Sequence, residues 1–194
     1  MINRGRHGSR FAMRLSPSLR SMLVIDVLLT VALLSVLLSP LTLPEGSVSK
    51  LDGSIGLVDN WEELQDMPWP QRMVYLIGDI NCHQQAERSY VLNGNQLPVC
   101  ARDLGLLAGL VVGMGAYMIV RRPVKWFWLA LFLVPMALDG GLQAVSSYES
   151  DNLIRALTGA LAGSGLGGGA GTLVDRFFGR EEASKASPER SSQR

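Results

Sequence analysis

The chain has 194 residues, 18 Lys+Arg against 17 Asp+Glu and a net charge of +1, so its bulk charge implies no nucleic-acid partner. Hydrophobic residues make up 47%, an ordinary share for a soluble domain. The mean hydropathy of +0.20 is not ordinary. It arises because apolar residues are gathered into long runs and charges are confined between them. Four runs reach or approach the roughly 20 apolar residues a bilayer crossing needs.

Residues 1–21 form a basic segment with Arg4, Arg6, Arg10, Arg14 and Arg20. The first apolar run, Met22 to Leu43, is interrupted by Asp26 alone. It is longer than a signal-peptide core and no A-x-A-like cleavage site follows, which favours an uncleaved anchor, transmembrane helix 1 over 22–43. Residues 44–103 read as an outer loop. Its first part is broken by Pro44, Gly46, Gly53, Gly56, Pro68 and Pro70. Trp61 and Trp69 suit the membrane interface. Met73, Leu76, Ile77 and Ile80 recur at helical spacing, so residues 71–92 are expected to form an amphipathic helix along the outer surface. Asn93-Gly94-Asn95 then reads as a turn.

Residues 104–178 hold the other three spans: Leu104 to Val120, Trp126 to Val145 with Asp139 and Gln143, and Leu153 to about Phe178 with Arg155 at its start. Gly105, Gly109 and Gly113 mark the second span, and Gly159, Gly163, Gly167 and Gly171 the fourth. Such stripes let helix backbones approach closely in lipid, a glycine-zipper seam between these two helices. The G-x-G-x-x-G at Gly163–Gly168 sits inside an apolar helix, not after a strand, so it carries no nucleotide-binding meaning. Residues 179–194 are charged and Ser-rich, and a disordered tail is expected. The fold class is therefore all-α integral membrane, with about four transmembrane helices plus an outer-side amphipathic helix.

Basic residues orient it. The leader, the Arg121-Arg122-Lys125 connection and the tail fall on one side, while the other side holds acidic loops. The expectation is a multi-pass protein of the cell membrane with both termini cytoplasmic. The lipid bilayer is its environment, and a homo-oligomer is compatible with it.

Polar residues gather at the outer end. Cys82-His83-Gln84 precede Arg88, and Cys100-Ala101-Arg102-Asp103 lead into the second span. Asp139 and Gln143, four apart, share a helix face. Asp139 lies about 13 residues from the inner end, or roughly 20 Å at 1.5 Å per residue. An acid at that depth faces the bundle interior or a wet cavity and needs a partner, with Arg102, Arg155 and His83 as candidates. His83 and Asp139 are the candidate acid–base residues. Arg88, Arg102, Gln143 and Arg155 are candidate binders of an anionic group, against a bland reading as snorkelling and ion pairing. Three readings of the cysteines stay open: a Cys82–Cys100 disulfide in an oxidising compartment, a metal site, zinc by its mixed ligands, at Cys82, His83, Cys100 and Asp103, or free buried thiols. As sequence neighbours, Cys82 and His83 would not both ligate one ion.

The pieces C-H-Q-x-x-x-R-S (Cys82 to Ser89), G-x-Q-L-P-x-C-A-R-x-x-G (Gly94 to Gly105), D-G-x-x-Q (Asp139 to Gln143) and R-x-x-T-G (Arg155 to Gly159) resemble one prokaryotic family. It comprises small membrane proteins known as domain of unknown function 2085. The resemblance covers about residues 74–175 and implies no established activity. The family pattern continues the Cys-Ala-Arg motif as C-A-R-C. This chain has Asp103 at the last position, which exchanges a thiolate for a carboxylate, itself a zinc ligand. Three functions compete: an enzyme acting on a lipid or lipid-linked anionic substrate at the outer leaflet, a transporter or ion or metal carrier, and a structural or accessory protein with a stapled outer loop.

Overall fold

The computed structural model describes residues 15–49, 51, 58–82 and 84–191. Most of the basic leader, together with Asp52, Gly53, Gly56 and His83, lies outside the described residues.

Helix α1 spans Pro17–Leu38. It starts earlier than the apolar run because Ser16 accepts a hydrogen bond from the Leu19 amide at 3.3 Å and Pro17 takes the first helical position. It stops at Ser39 because Pro40 follows, and a 3-10 turn, Pro40–Thr42, leads into the loop. Two short helices follow, α2 (Trp61–Leu64) and α3 (Trp69–Asn81). Helix α4 (Ala101–Val120) takes the Ala-Arg-Asp of the cysteine motif into its first turn, and α5 is Trp126–Val145. Helix α6 runs Asn152–Ser191, past the point at Phe178 where the sequence reading ends the helix and starts a disordered tail. Its start is set by Asp151, whose carboxylate accepts from the Ile154 amide at 2.9 Å.

Three helices, α1, α4 and α5, are long and apolar enough to cross a membrane by length and composition. Helix α6 is the fourth long helix, but its glycines dilute its hydropathy. The glycines are used for packing. A Cβ on Gly105, Gly109 or Gly113 would collide with the backbone of Ala156, Ala160 or Ser164. One on Gly159, Gly163 or Gly167 would collide with the backbone of Arg102, Leu106 or Leu110. The rising residue numbers on both sides show that α4 and α6 run parallel at backbone contact. Helix α5 runs antiparallel to both and packs on the other face of α6, where Phe132 and Leu129 meet Gly165 and Gly169. Helix α1 lies against α4 through Met22, Met114 and Tyr117. The outward faces of α1 and α5 present Val27, Leu28, Val31, Phe127, Leu131 and Leu138 to the surroundings, an apolar belt that water would not tolerate.

The segment between α1 and α4 is a cap with its own core of Leu43, Val48, Leu51, Leu64, Met67 and Tyr75. Helix α3 is shorter than the expected 71–92. It ends at Asn81, whose side-chain NH2 donates back to the Ile77 carbonyl at 2.7 Å, and Cys82 is extended. Beyond it lie a 3-10 turn, Ala86–Arg88, and a two-residue hairpin, β1 (Val91–Leu92) with β2 (Asn95–Gln96). Asn93 and Gly94 both take positive φ, the geometry that closes a tight hairpin. The face of α3 expected to be apolar is exposed at Met73, Ile77 and Ile80, while Tyr75 and Gly78 face inward. That arrangement suits a helix lying on a lipid surface over a polar cap.

Candidate functional site

Four buried amides build the cap. Asn95 donates to the Pro40 and Pro44 carbonyls, each at 2.9 Å, and accepts from the Val48 amide at 2.9 Å. Gln96 accepts from the Leu51 amide and donates to the Gln84 carbonyl. Gln84, in the left-handed region at φ 43°, donates to the Pro98 carbonyl at 2.7 Å and accepts from Asn60 at 3.2 Å. Asn60 also donates to Asp79 at 2.6 Å. Gly78 has no room for a side chain, because the Pro98 carbonyl occupies that position. Together these contacts lock the end of α3 against the strand leading into α4, so Cys82 and Cys100 are brought side by side. Tyr90 donates to the Asn152 carbonyl at 3.0 Å and pins the cap to the start of α6.

At this junction the Cys100 amide donates to Cys82 Sγ at 3.3 Å, and Cys100 Sγ lies 3.3 Å from Asp103 Oδ2. One donor atom from each of Cys82, Cys100 and Asp103 falls within 4.8 Å of the others. Both cysteines are free thiols. The side-chain hydrogen bond between the two thiols pushes Cys82 up, with burial acting the same way, and pulls Cys100 down against its own burial.

A second cluster adjoins the first. Arg102, one residue into α4, forms an ion pair with Asp139 of α5, and donates to Gln143 Oε1 at 3.0 Å. Gln143 donates onward to Ser150 at 2.8 Å. Asp139 is only 6% exposed, and its second carboxylate oxygen has no partner among the described residues. Of the two candidate partners for Asp139 among the described residues, it is Arg102 that pairs with it and not Arg155. Arg155 is 5% exposed, donates to Asn152 at 3.2 Å, and leaves its Nε unpartnered among the described residues.

Between the clusters lies a partly open cavity of about 170 Å³. Cys82, Cys100, Asp103, Arg88, Arg102 and Arg155 all line it, as do Gln143, Gln84 and Gln85. The structure thus brings together Arg88, Arg102, Gln143 and Arg155 with both cysteines and Asp103. Asp139 sits behind Arg102, outside the cavity lining, and His83 lies outside the described residues. Gln84, Asn95 and Gln96 were not singled out from the sequence as site builders. Their signal is their place inside the Cys-His-Gln and Gly-x-Gln-Leu-Pro pieces, which reads as chemistry until the backbone shows they hold the cap. At the opposite end, Asp175 accepts from Tyr117 at 3.0 Å and pairs with Arg121 at 2.8 Å. That contact ties α6 to the α4–α5 connection.

An apolar helical belt with a polar cluster at one end defines an all-α integral membrane protein. Residues 82–168 match the model of the family described as predicted membrane protein (DUF2085), and the chain belongs to that family. It is 38% identical over 96 residues to an uncharacterized protein of Methanocaldococcus jannaschii, covering 46% of this chain and 61% of that one. It is 38% identical over 88 residues to an uncharacterized protein of Methanothermobacter thermautotrophicus, covering 44% of this chain and 79% of that one. The chain thus spans about three fifths of the first relative's length and four fifths of the second's. No solved structure matches it.

Proposed function

We propose that this protein binds the anionic headgroup of a lipid or lipid-linked substrate in the cavity beneath the cap, at the outer face of the membrane. The observation that carries this is the excess of guanidinium groups there. Arg102 is committed to Asp139 and Gln143, but Arg88 and Arg155 have no carboxylate partner among the described residues. Arg155 is buried nonetheless, and a buried guanidinium without a counter-charge is costly unless a ligand supplies one. The parallel α4 and α6 both start at this end, so their positive dipole ends favour an anion in the same place. The volume suits a phosphate-sized group, with the chains left in the bilayer. The exposed Ile77 and Ile80, one turn before Cys82, suit a cap resting on lipid.

In this reading Asp139 positions Arg102, Gln143 positions it from the other side, and His83, next to Cys82, is the acid–base group of an enzymatic version. The same cavity wall carries the thiols and carboxylate that suit zinc. The outer assignment follows from charge: Arg121, Arg122, Lys125 and Arg176 cluster at the far end, while Glu45, Glu62, Glu63 and Asp66 sit in the cap. Both termini are then cytoplasmic.

The test is calorimetric binding of short-chain phosphatidate and phosphatidylcholine to detergent-solubilised protein, with a chelator present. Phosphatidate should bind and phosphatidylcholine should not, and Arg155→Gln should weaken phosphatidate at least about tenfold, the scale of one charged hydrogen bond lost. Equal binding of the two lipids, or an unaffected Arg155→Gln variant, overturns the reading.

A further inference from the structure

We propose that Cys82, Cys100 and Asp103 form a site for a divalent metal of the zinc class, with a remaining coordination position turned to the arginine-lined cavity. The proposal shares the cavity of the headgroup reading and adds a cofactor to it.

Four observations carry it. The first is distance. Tetrahedral zinc, with bonds of about 2.3 Å to sulfur and 2.0 Å to oxygen, holds its ligand atoms about 3.3–3.8 Å apart. The three donor atoms already lie within 4.8 Å of one another, with Cys100 Sγ and Asp103 Oδ2 at 3.3 Å. Small rotations of two side chains would close the set. The second is rigidity. Cys100 is the N-cap of α4 and Asp103 its third residue, the N-cap-to-N3 spacing that lets the two side chains meet. Cys82 is held by its neighbour Gln84, whose side chain is anchored on Pro98, Tyr75 and Asn60. A site on braced elements keeps its geometry without the ion. The third is ligand type: two thiolates and one carboxylate select zinc over magnesium or calcium, which take oxygen alone. The fourth is charge. With both thiols ionised, the set carries one more negative charge than a divalent ion cancels, and Arg88 and Arg155 line the same cavity to balance it.

Cys82, Cys100 and Asp103 are three protein ligands, and a tetrahedral ion has a fourth position. All three residues line the cavity. Water or an anionic oxygen could occupy that position from the cavity side, the arrangement that separates open sites from closed structural ones.

The experiment uses the full chain in detergent. Zinc is measured in protein purified without chelator. The metal is then stripped, the thiols are reduced and counted, and Co2+ is titrated in. One equivalent of metal per chain is expected, with the near-ultraviolet absorption of cobalt bound to thiolate. Cys82→Ser and Cys100→Ser should each remove about half of that band, and Asp103→Asn should keep the band while weakening affinity at least tenfold. The wild-type spectrum stands even where a variant fails to fold. Reduced wild-type protein that takes up no stoichiometric cobalt overturns the proposal. So does uptake that persists when both cysteines are replaced, or protein whose two thiols are found only as a disulfide. Because the headgroup reading is tested on metal-free protein, either idea can fail alone.

Discussion

Asp139 shows how a single charge is accommodated inside a helical bundle. Its carboxylate is almost fully buried, and Arg102 reaches it from the next helix. Removing one member of such a pair leaves the other charge stranded, which costs about 3–5 kcal/mol, whereas replacing both by apolar groups costs far less. Asp139→Asn should therefore lower the melting temperature in detergent strongly, while Arg102→Met with Asp139→Leu should recover most of it. A double variant as unstable as the single one would show that the pair organises the fold beyond its own charge. Asn95 makes the matching point for neutral groups. Its side chain serves two carbonyls and one amide, and Asn95→Ala would leave those backbone groups unpartnered at about 1–3 kcal/mol for an unsatisfied buried group. Limited proteolysis should then cut the cap several-fold faster while the bundle helices stay protected. Unchanged protection of the cap would sink this account.

At the scale of the element, the contact of α4 with α6 rests on the absence of side chains. At Gly163 any Cβ meets the backbone of Leu106 and Leu110, and a backbone atom cannot rotate away. Gly163→Leu should therefore force the helices apart and cost upward of about 3 kcal/mol, at the top of the range for overpacking. In a chain of this size that corresponds to a fall of about 10 °C in melting temperature. Gly141 is the control. It lies on α5 with nothing within 4 Å of where its Cβ would be. Gly141→Ala should leave stability unchanged or raise it by up to about 1 kcal/mol, since alanine is the better helix former. If both variants melt alike, the seam is not what holds the bundle. The cap elements depend on tertiary contacts instead. A hairpin of two residues per strand is not stable alone, and here Gln96 and Tyr90 tie it to its surroundings.

For the whole molecule, the helix directions fix which groups can meet. α1 and α5 run one way, α4 and α6 the other, so Cys100, Gln143 and Arg155 are all at the cap end. The proposed orientation predicts that a membrane-impermeant thiol reagent on intact cells reaches a cysteine placed at the exposed Ser49 but not one placed at Ser187. Labelling at Ser187 from outside would overturn the both-ends-inside topology.

The sequence by itself determined the membrane class, three of the long helices as membrane-crossing, and that Asp139 had to find a partner. These follow from hydropathy, charge bias and a 1.5 Å rise per residue, which are local properties of the chain. It also marked the glycine stripes, because a repeat of four places small residues on one helix face. It did not choose Arg102 over Arg155 for Asp139, since that choice depends on how α5 is rotated against α4. It did not foresee that α3 stops at Asn81 or that Gln84 and Gln96 serve the backbone, and it left open whether the two cysteines 18 residues apart meet. Only the tertiary structure decided these, because buried amides satisfy whatever carbonyls and amides the folded cap leaves unpaired, and that set exists only once the chain has closed on itself.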